Sequence, residues 1–367
     1  MTHFDSPRPA EGARVWIWDP NPFNAYGMEV ARVVARSASR VRVSVRANSA
    51  LHADGVKSWR VLPPPADGQH SFSHRVQYAV GVLRFFVAAI FVRPIVVITW
   101  SNTAVEMLAI RFLQILRVRS IVVIHNPMPA REVVVERSML YKIRKGATRL
   151  VVHSERLADI SGLKPRPCVA AHPAYFSWAS AMRSMANHAL DPFAGSDGAV
   201  GLYLGALRRD KGVDLLPALD LSLSRRGGQL ALCVGKADSH AAAILERCST
   251  AIRVSDGGGY VSDFQIFECL SYADALVAPY SDVTASGTAI IAISLGTRVV
   301  TFANESMADL LGTGDLAPAG DVDRLAELVV AGRANPLRRK ELVDVAQRLD
   351  DESAAGWQSI LAGIQIL

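Results

Sequence analysis

Two segments in the second half of the chain combine glycine, positive charge and hydroxyls in a way that suits a diphosphate. The first is Gly205-Ala206-Leu207-Arg208-Arg209-Asp210-Lys211-Gly212-Val213, directly after an apolar run at residues 200–204. Gly205 permits a tight turn. Arg208 and Lys211 bring cations to the start of a helix-like stretch, where exposed N–H groups and the helix dipole also favour negative charge. A solvated basic turn would have the same composition. The second segment runs from Tyr280 to Ser286-Gly287-Thr288, which opens a helix of small residues after another buried run. Its hydroxyls and amides form a second anion cradle. The plainer reading is a Ser/Thr N-cap. Two cradles in one half, both after strands, favour a shared phosphate ligand. Gly235 follows the apolar run 230–234, and a glycine-rich loop leads to Tyr260 and Val261. Asp263 and Glu268 follow that loop and read as a solvated helix face.

The first half offers different chemistry. His125 stands directly after the β-branched run 121–124, where an imidazole can exchange a proton with a sugar hydroxyl. Structural hydrogen bonding is the commoner role of such a histidine. His153 and His172 end two further runs. The loop after the first run holds Asn24, which reads as an N-cap, and Gly27, which would allow a ligand to approach closely. Glu29 is a second candidate base. The loop is not G-x-G-x-x-G, which disfavours a nicotinamide site.

These residues need strands to carry them. Short apolar runs recur at 15–18, 41–45, 95–99, 121–124, 150–152 and 169–171, then at 200–204, 230–234, 275–278 and 299–302, with helical patterns between them. Runs that are apolar throughout indicate strands covered on both faces, and their alternation with helices indicates parallel βαβ units. At 367 residues, half of them apolar and a fifth charged, the chain is sized for two domains with proper cores. The mean hydropathy of +0.20 excludes disorder, collagen and coiled coil. Four cysteines without C-x-x-C pairing argue against a disulfide framework or zinc cluster and for a reducing compartment. The irregular segment 178–199 reads as the break between an N-terminal domain at 1–185 and a C-terminal domain at 186–345. The tail, 346–367, reads as a last helix that packs back on the first domain. In such open sheets ligands bind outside the carboxyl ends of the strands.

The motifs together resemble those of GT-B glycosyltransferases of family 4. Gly205 to Val213 resembles the G-x-L/I-x-x-x-K-G-V/I motif that opens the donor lobe. Pro279-Tyr280, Ser286-Gly287 and Ala292-Ile293-Ser294-Leu295 resemble a variant seen in the exopolysaccharide branch. Asn21-Pro22-Phe23, His125-Asn126 and Asn304-Glu305-Ser306 resemble that branch's N-terminal loop, its H-N after a strand and its late loop, as in xanthan-type β-mannosyltransferases. The resemblance implies an α/β GT-B fold, with two facing Rossmann-like domains and a cleft between them. It implies a nucleotide-sugar donor, UDP- or GDP-linked, in the second domain and an acceptor in the first, with no metal or other cofactor. Lys211, Arg208 and the Ser286-Gly287-Thr288 segment would contact the diphosphate, Gly235 and the loop with Tyr260 and Val261 would surround the base and ribose, Glu305 would belong to the donor site, and His125 would lie beside the reacting sugar. Two departures stand out. Ala206 occupies the place of the usual arginine, and Val283 and Ile291 those of the usual glutamate pair.

A net charge of +6 suits an anionic partner. No basic run interleaved with aromatics is present, which disfavours nucleic acid. The apolar stretch 76–100 is interrupted by Arg84 and Arg93-Pro94, and reads as helix, break and buried strand rather than a membrane span. The helical stretches 72–92 and 104–116 are rich in large apolar residues with arginines nearby. Core packing accounts for them, and a lipid-linked acceptor would instead turn them towards a membrane surface. Residues 1–14 have no signal-peptide pattern, so the expected location is cytoplasmic, at the inner face of the cell membrane. A non-hydrolysing nucleotide-sugar epimerase and a non-catalytic sugar-binding or nucleotide-binding protein are the alternatives to glycosyl transfer.

Overall fold

The computed structural model describes residues 10–365 except 22–24, 65–70, 102, 126–133, 187–189, 236, 238, 255–260, 281–285, 312–313 and 333–336. The chain forms two compact units, Met1–Pro173 with Leu349–Leu367, and Ala174–Arg348.

Unit 1 begins with β1 (Ala10–Trp18), α1 (Tyr26–Val34), β2 (Ala38–Arg46), β3 (Val56–Leu62) and α2 (Phe72–Val92). It continues through β4 (Ile95–Ile98), α3 (Ala104–Ile115), β5 (Ser120–Val123), α4 (Val134–Gly146), β6 (Arg149–Val152), α5 (Glu155–Ile160) and β7 (Cys168–Val169). The seven strands pair in parallel in the order β3-β2-β1-β4-β5-β6-β7. The central strands are apolar throughout because helices cover both faces. One layer joins α1 and the C-terminal helix to Val15, Ile17, Val97 and Val151. The other joins α2, α3, α4 and α5 to Trp16, Trp18, Val96 and Val152. The stretch 76–100 breaks as expected: α2 stops at the left-handed cap Arg93, and Pro94 leads into buried β4.

Unit 2 comprises α6 (Phe176–Met185), β8 (Val200–Gly205), α7 (Leu216–Arg225), β9 (Gln229–Val234), α8 (Ser239–Arg247), β10 (Ile252–Arg253) and α9 (Asp263–Tyr272). Then follow β11 (Ala275–Ala278), α10 (Gly287–Leu295), β12 (Val299–Phe302), α11 (Glu305–Leu311), β13 (Leu316–Ala317) and α12 (Val322–Ala331). The strands again pair in parallel, in the order β10-β9-β8-β11-β12-β13. The final helix, α13 (Leu337–Gln365), begins in unit 2 and ends in unit 1.

Two boundaries differ from the sequence reading. The units part at residue 173 rather than 185, because 176–185 is not linker but helix α6, with Trp178 buried inside unit 2. The last helix starts at Leu337 rather than after 345. Its end is fixed to unit 1 by Asp350, which is buried and paired with Arg32 and Arg36, and by the buried Trp357.

Candidate functional site

In a doubly wound sheet the chain leaves its first strand towards one edge and later returns to build the other. This opens a crevice at the carboxyl ends of the two strands flanking the reversal. Those strands are β1 and β4 in unit 1, and β8 and β11 in unit 2.

Both phosphate cradles read from the sequence lie at the unit 2 crevice. Gly205 ends β8 with φ of 129°, a backbone that side chains rarely adopt. The Tyr203 hydroxyl donates to the Ala206 carbonyl and holds the turn (3.1 Å). Arg208 is exposed and Lys211 half-buried, each at an end of the next short turn. Gly212, at φ 71°, lies against the loop after β11, and a Cβ there would collide with the Pro279 carbonyl. This close approach sets Lys211 Nζ 4.1 Å from the centre of the buried Tyr280 ring, a cation–π contact. The start of α10 lies beyond the same strand. Ser286 is buried and its hydroxyl accepts from Ala289 N (3.2 Å), so it acts as the N-cap. The amides of Gly287 and Thr288 precede the first carbonyl they could bond within the helix.

The other donor-side residues are placed as follows. Gly235 follows β9, and Val261 immediately precedes the Ser262 cap of α9. Glu305 is exposed in the first turn of α11, next to Asn304, whose side chain accepts from Met307 N (3.0 Å). Tyr260 lies outside the described residues. Asp263 and Glu268 are not on a solvated face. Burial raises the Asp263 carboxyl to about 6 against a hydrogen bond from Trp178, and Glu268 accepts from Leu190 N (3.0 Å).

The unit 1 crevice collects aromatic and imidazole groups from five adjacent strand ends. Asp19 follows β1, Thr99 and Trp100 follow β4, and His125, His153 and His172 come after β5, β6 and β7. Tyr26, the first residue of α1, is fully buried against all three imidazoles, with ring centroids 4.8, 5.5 and 4.9 Å away in chain order. His153 Nδ1 donates to the Ala170 carbonyl (2.9 Å), which leaves Nε2 to accept from the Tyr26 hydroxyl (2.9 Å). His172 Nδ1 donates to the Pro173 carbonyl (2.9 Å). His125 stacks on Trp100 at 3.9 Å and donates from Nε2 to the Thr99 carbonyl (3.2 Å). Its Nδ1 therefore carries a lone pair. Burial, then the neighbouring His153 and His172, hold its pKa well below the usual imidazole value, so it is neutral at physiological pH.

Three sequence expectations are corrected here. Glu29 is fully buried and ion-paired to Arg32 (2.8 Å), which also holds Asp350. It joins α1 to α13 and is not placed as a base. Gly27 makes room for Asp19 rather than for a ligand: its N–H donates to the Asp19 carboxylate (2.6 Å), and a Cβ there would collide with that side chain. The N-cap of α1 is Ala25, and Asn24 lies outside the described residues. The sequence reading missed Asp19, Tyr26 and Trp100. An acid directly after the first strand, with a glycine eight residues on, was the available signal for Asp19.

No family model matches the chain, and no curated protein matches it. Solved structures do. The chain is similar to Anabaena HepE in complex with UDP-glucose, at 14% identity and a TM-score of 0.60, over 96% of this chain and 99% of that one. It is similar to sucrose-phosphate synthase from Thermosynechococcus elongatus at 16% identity, TM-score 0.63 and coverage of 96% and 99%. It is also similar to WaaG, a glycosyltransferase involved in lipopolysaccharide biosynthesis, at 16% identity, TM-score 0.54 and coverage of 95% and 98%. At these identities the likeness concerns the fold, which is of the GT-B type.

Proposed function

We propose that the chain is a glycosyltransferase that moves a sugar from a nucleoside-diphosphate donor held by unit 2 to a glycan or lipid-linked acceptor held by unit 1. The observation that carries this reading is the meeting of the lysine turn with the loop after β11, the strand that α10 follows, with Lys211 4.1 Å from the Tyr280 ring and Gly212 against Pro279. Segments some seventy residues apart converge there on one doubly anionic group. The similarity to a HepE structure holding UDP-glucose supports a UDP-linked donor. The loop motifs favour the exopolysaccharide branch, and the proposed place of action is the cytoplasmic face of the cell membrane.

In this mechanism the acceptor hydroxyl attacks the anomeric carbon and the nucleoside diphosphate leaves. Lys211, Arg208 and the Gly287 and Thr288 amides stabilise the charge that develops on the leaving group. His125 Nδ1 accepts a hydrogen bond from the acceptor hydroxyl, and general-base assistance of this kind contributes about 10²–10⁴-fold. We propose no metal for the transfer step, so activity is expected to survive chelation.

A thermal-shift panel of UDP, GDP and their sugars tests the donor. A ligand at 100 times its Kd stabilises by about 2.7 kcal/mol, a readable change in Tm. A panel without any shift would overturn the donor assignment.

A further inference from the structure

Helix α2 has two faces of quite different fate. Val82, Phe85, Phe86 and Ala89 are buried in the core of unit 1. Phe72, Val76, Val80, Leu83, Val87 and Phe91 are all exposed, the two phenylalanines at 83% and 82%. At 3.6 residues per turn these six fall within an arc of about 100°, along about 28 Å of helix. Helix α3 packs beside α2 in the same layer and repeats the pattern. It buries Met107, Ile110 and Leu113 and exposes Val105, Leu108, Phe112 and Ile115. Core packing therefore explains only the inner faces of these helices.

Charge decides what fits the outer faces. Between residues 71 and 120 the chain has six arginines and one acid. That acid, Glu106, is fully buried, where it accepts from Trp18 Nε1 (2.9 Å) and the Tyr78 hydroxyl (2.8 Å). Arg75, Arg84, Arg93 and Arg117 are exposed on or beside these two helices, whereas Arg119 reaches the Ile364 carbonyl of α13 in the other layer. Arg93 caps α2 and donates to the Leu116 carbonyl at the end of α3 (3.1 Å). Exposed Lys142 and Lys145 add charge from the neighbouring α4. A broad apolar surface rimmed by cations, with no exposed acid among the described residues between 71 and 120, complements an anionic bilayer, where apolar side chains enter the headgroup boundary and arginines reach phosphates.

Helix α2 is also long and apolar enough to cross a membrane. Its inner face forbids that. Gly81 lies so close to β3 that a Cβ would collide with the Val61 carbonyl, and extracting the helix would empty that core layer. We propose that the outer faces of α2 and α3 form a monotopic docking surface that lies flat on an anionic lipid bilayer. This gives the lipid-linked acceptor of the proposed function a physical partner, but it rests on the surface of unit 1 and not on donor binding.

Cosedimentation of the full chain with phosphatidylcholine vesicles, with and without phosphatidylglycerol, tests the surface. The chain is expected to pellet with phosphatidylglycerol vesicles at low salt and to be released at high salt. L83D/F91D is expected to weaken that binding at least about tenfold, because it puts charge where lipid should be. R75E/R84E should remove the preference for phosphatidylglycerol. L221D, at an exposed leucine of unit 2, should bind as the unaltered chain does. All four residues in the two double variants are exposed, so Tm should not change. Should a variant fail to fold, a polarity-sensitive dye on L83C reads the same contact by a blue shift that the dye on L221C does not show. No pelleting of the unaltered chain, or equal pelleting of L83D/F91D, would overturn the proposal. So would a dimer that L83D/F91D splits without any vesicle binding, which would give the face to a second copy. Nucleotide-induced thermal shifts in the same variants report the donor site separately, so either reading can fail alone.

Discussion

The two crevices share a scaffold and differ in what stands at the strand ends. In unit 1 the ends of β4, β5, β6 and β7 present Trp100, His125, His153 and His172 around the buried Tyr26. These imidazoles are kept neutral by burial, and each donates a hydrogen bond to a backbone carbonyl. In unit 2 the ends of β8 and β11 present glycine, lysine, arginine and a helix start, partly open to solvent. The scaffold thus supplies a place, and the dozen or so residues after the strands decide its chemistry: neutral aromatic and imidazole groups in one unit, cations and helix-start amides in the other.

Acid should separate the units most strongly. His153 and His172 have folded-state pKa values near 4 and 3, lowered by burial from the usual 6.5. A depressed histidine contributes stability that is complete above about pH 6.5 and is lost as pH falls towards its folded value. Each contributes about 3 kcal/mol of loss by pH 4. Asp19 acts with the opposite sign. Burial raises it to about 6 against hydrogen bonds from Asn21 and Gly27, so its protonation stabilises the fold on acidification. The imidazoles outnumber it, and unit 1 should lose several kcal/mol between pH 7 and pH 4. In unit 2 the raised Asp263 pushes the other way. Hydrogen exchange of β5 and β6 against β8 and β9 across this range reads the difference. Equal loss of protection in both units would break the comparison.

The next largest effect belongs to the lysine turn. Lys211→Ala should cost about 3 kcal/mol of transition-state stabilisation, a hundredfold in turnover with a detected donor. Its acid stability should match that of the parent. Turnover at the parental rate would remove the diphosphate role from this crevice. His125→Ala, by contrast, should slow turnover while leaving the nucleotide-induced thermal shift intact.

Much of this contrast was legible before folding. The central strands are apolar along their whole length, so they announce sheets covered on both faces. Strand β3 was missed because Val-Lys-Ser-Trp-Arg-Val-Leu is a half-exposed edge that mixes polar with apolar residues. Strands β10 and β13 are two residues each, too short to show any period. Helix α6 was read as linker because its buried face, Ser177, Trp178, Ala179, Ala181 and Met182, has only two large apolar side chains among small ones, too few to show a helical period. The two cradles were visible as motifs, but Lys211 over Tyr280 is a product of topology, since only the β8–β11 pairing brings those loops together. Likewise, three histidines at three strand ends look unrelated until the order β5-β6-β7 makes them neighbours.

Two smaller substitutions sharpen the donor side. Gly212→Ala forces a side chain into a left-handed position and against the Pro279 carbonyl, so it should destabilise unit 2 by about 2 kcal/mol. It should also weaken nucleotide binding, because the lysine turn must move away from β11. Tyr280→Leu should do less. The ring is buried and its face meets the ammonium, so leucine keeps the packing and loses the cation–π attraction, worth about 0.5–1 kcal/mol. Nucleotide affinity should therefore fall only about two- to fivefold, with Tm nearly unchanged. A larger fall in affinity at constant Tm would mean that the Tyr280 ring meets the donor itself, and that the second cradle begins at Tyr280 rather than at Ser286.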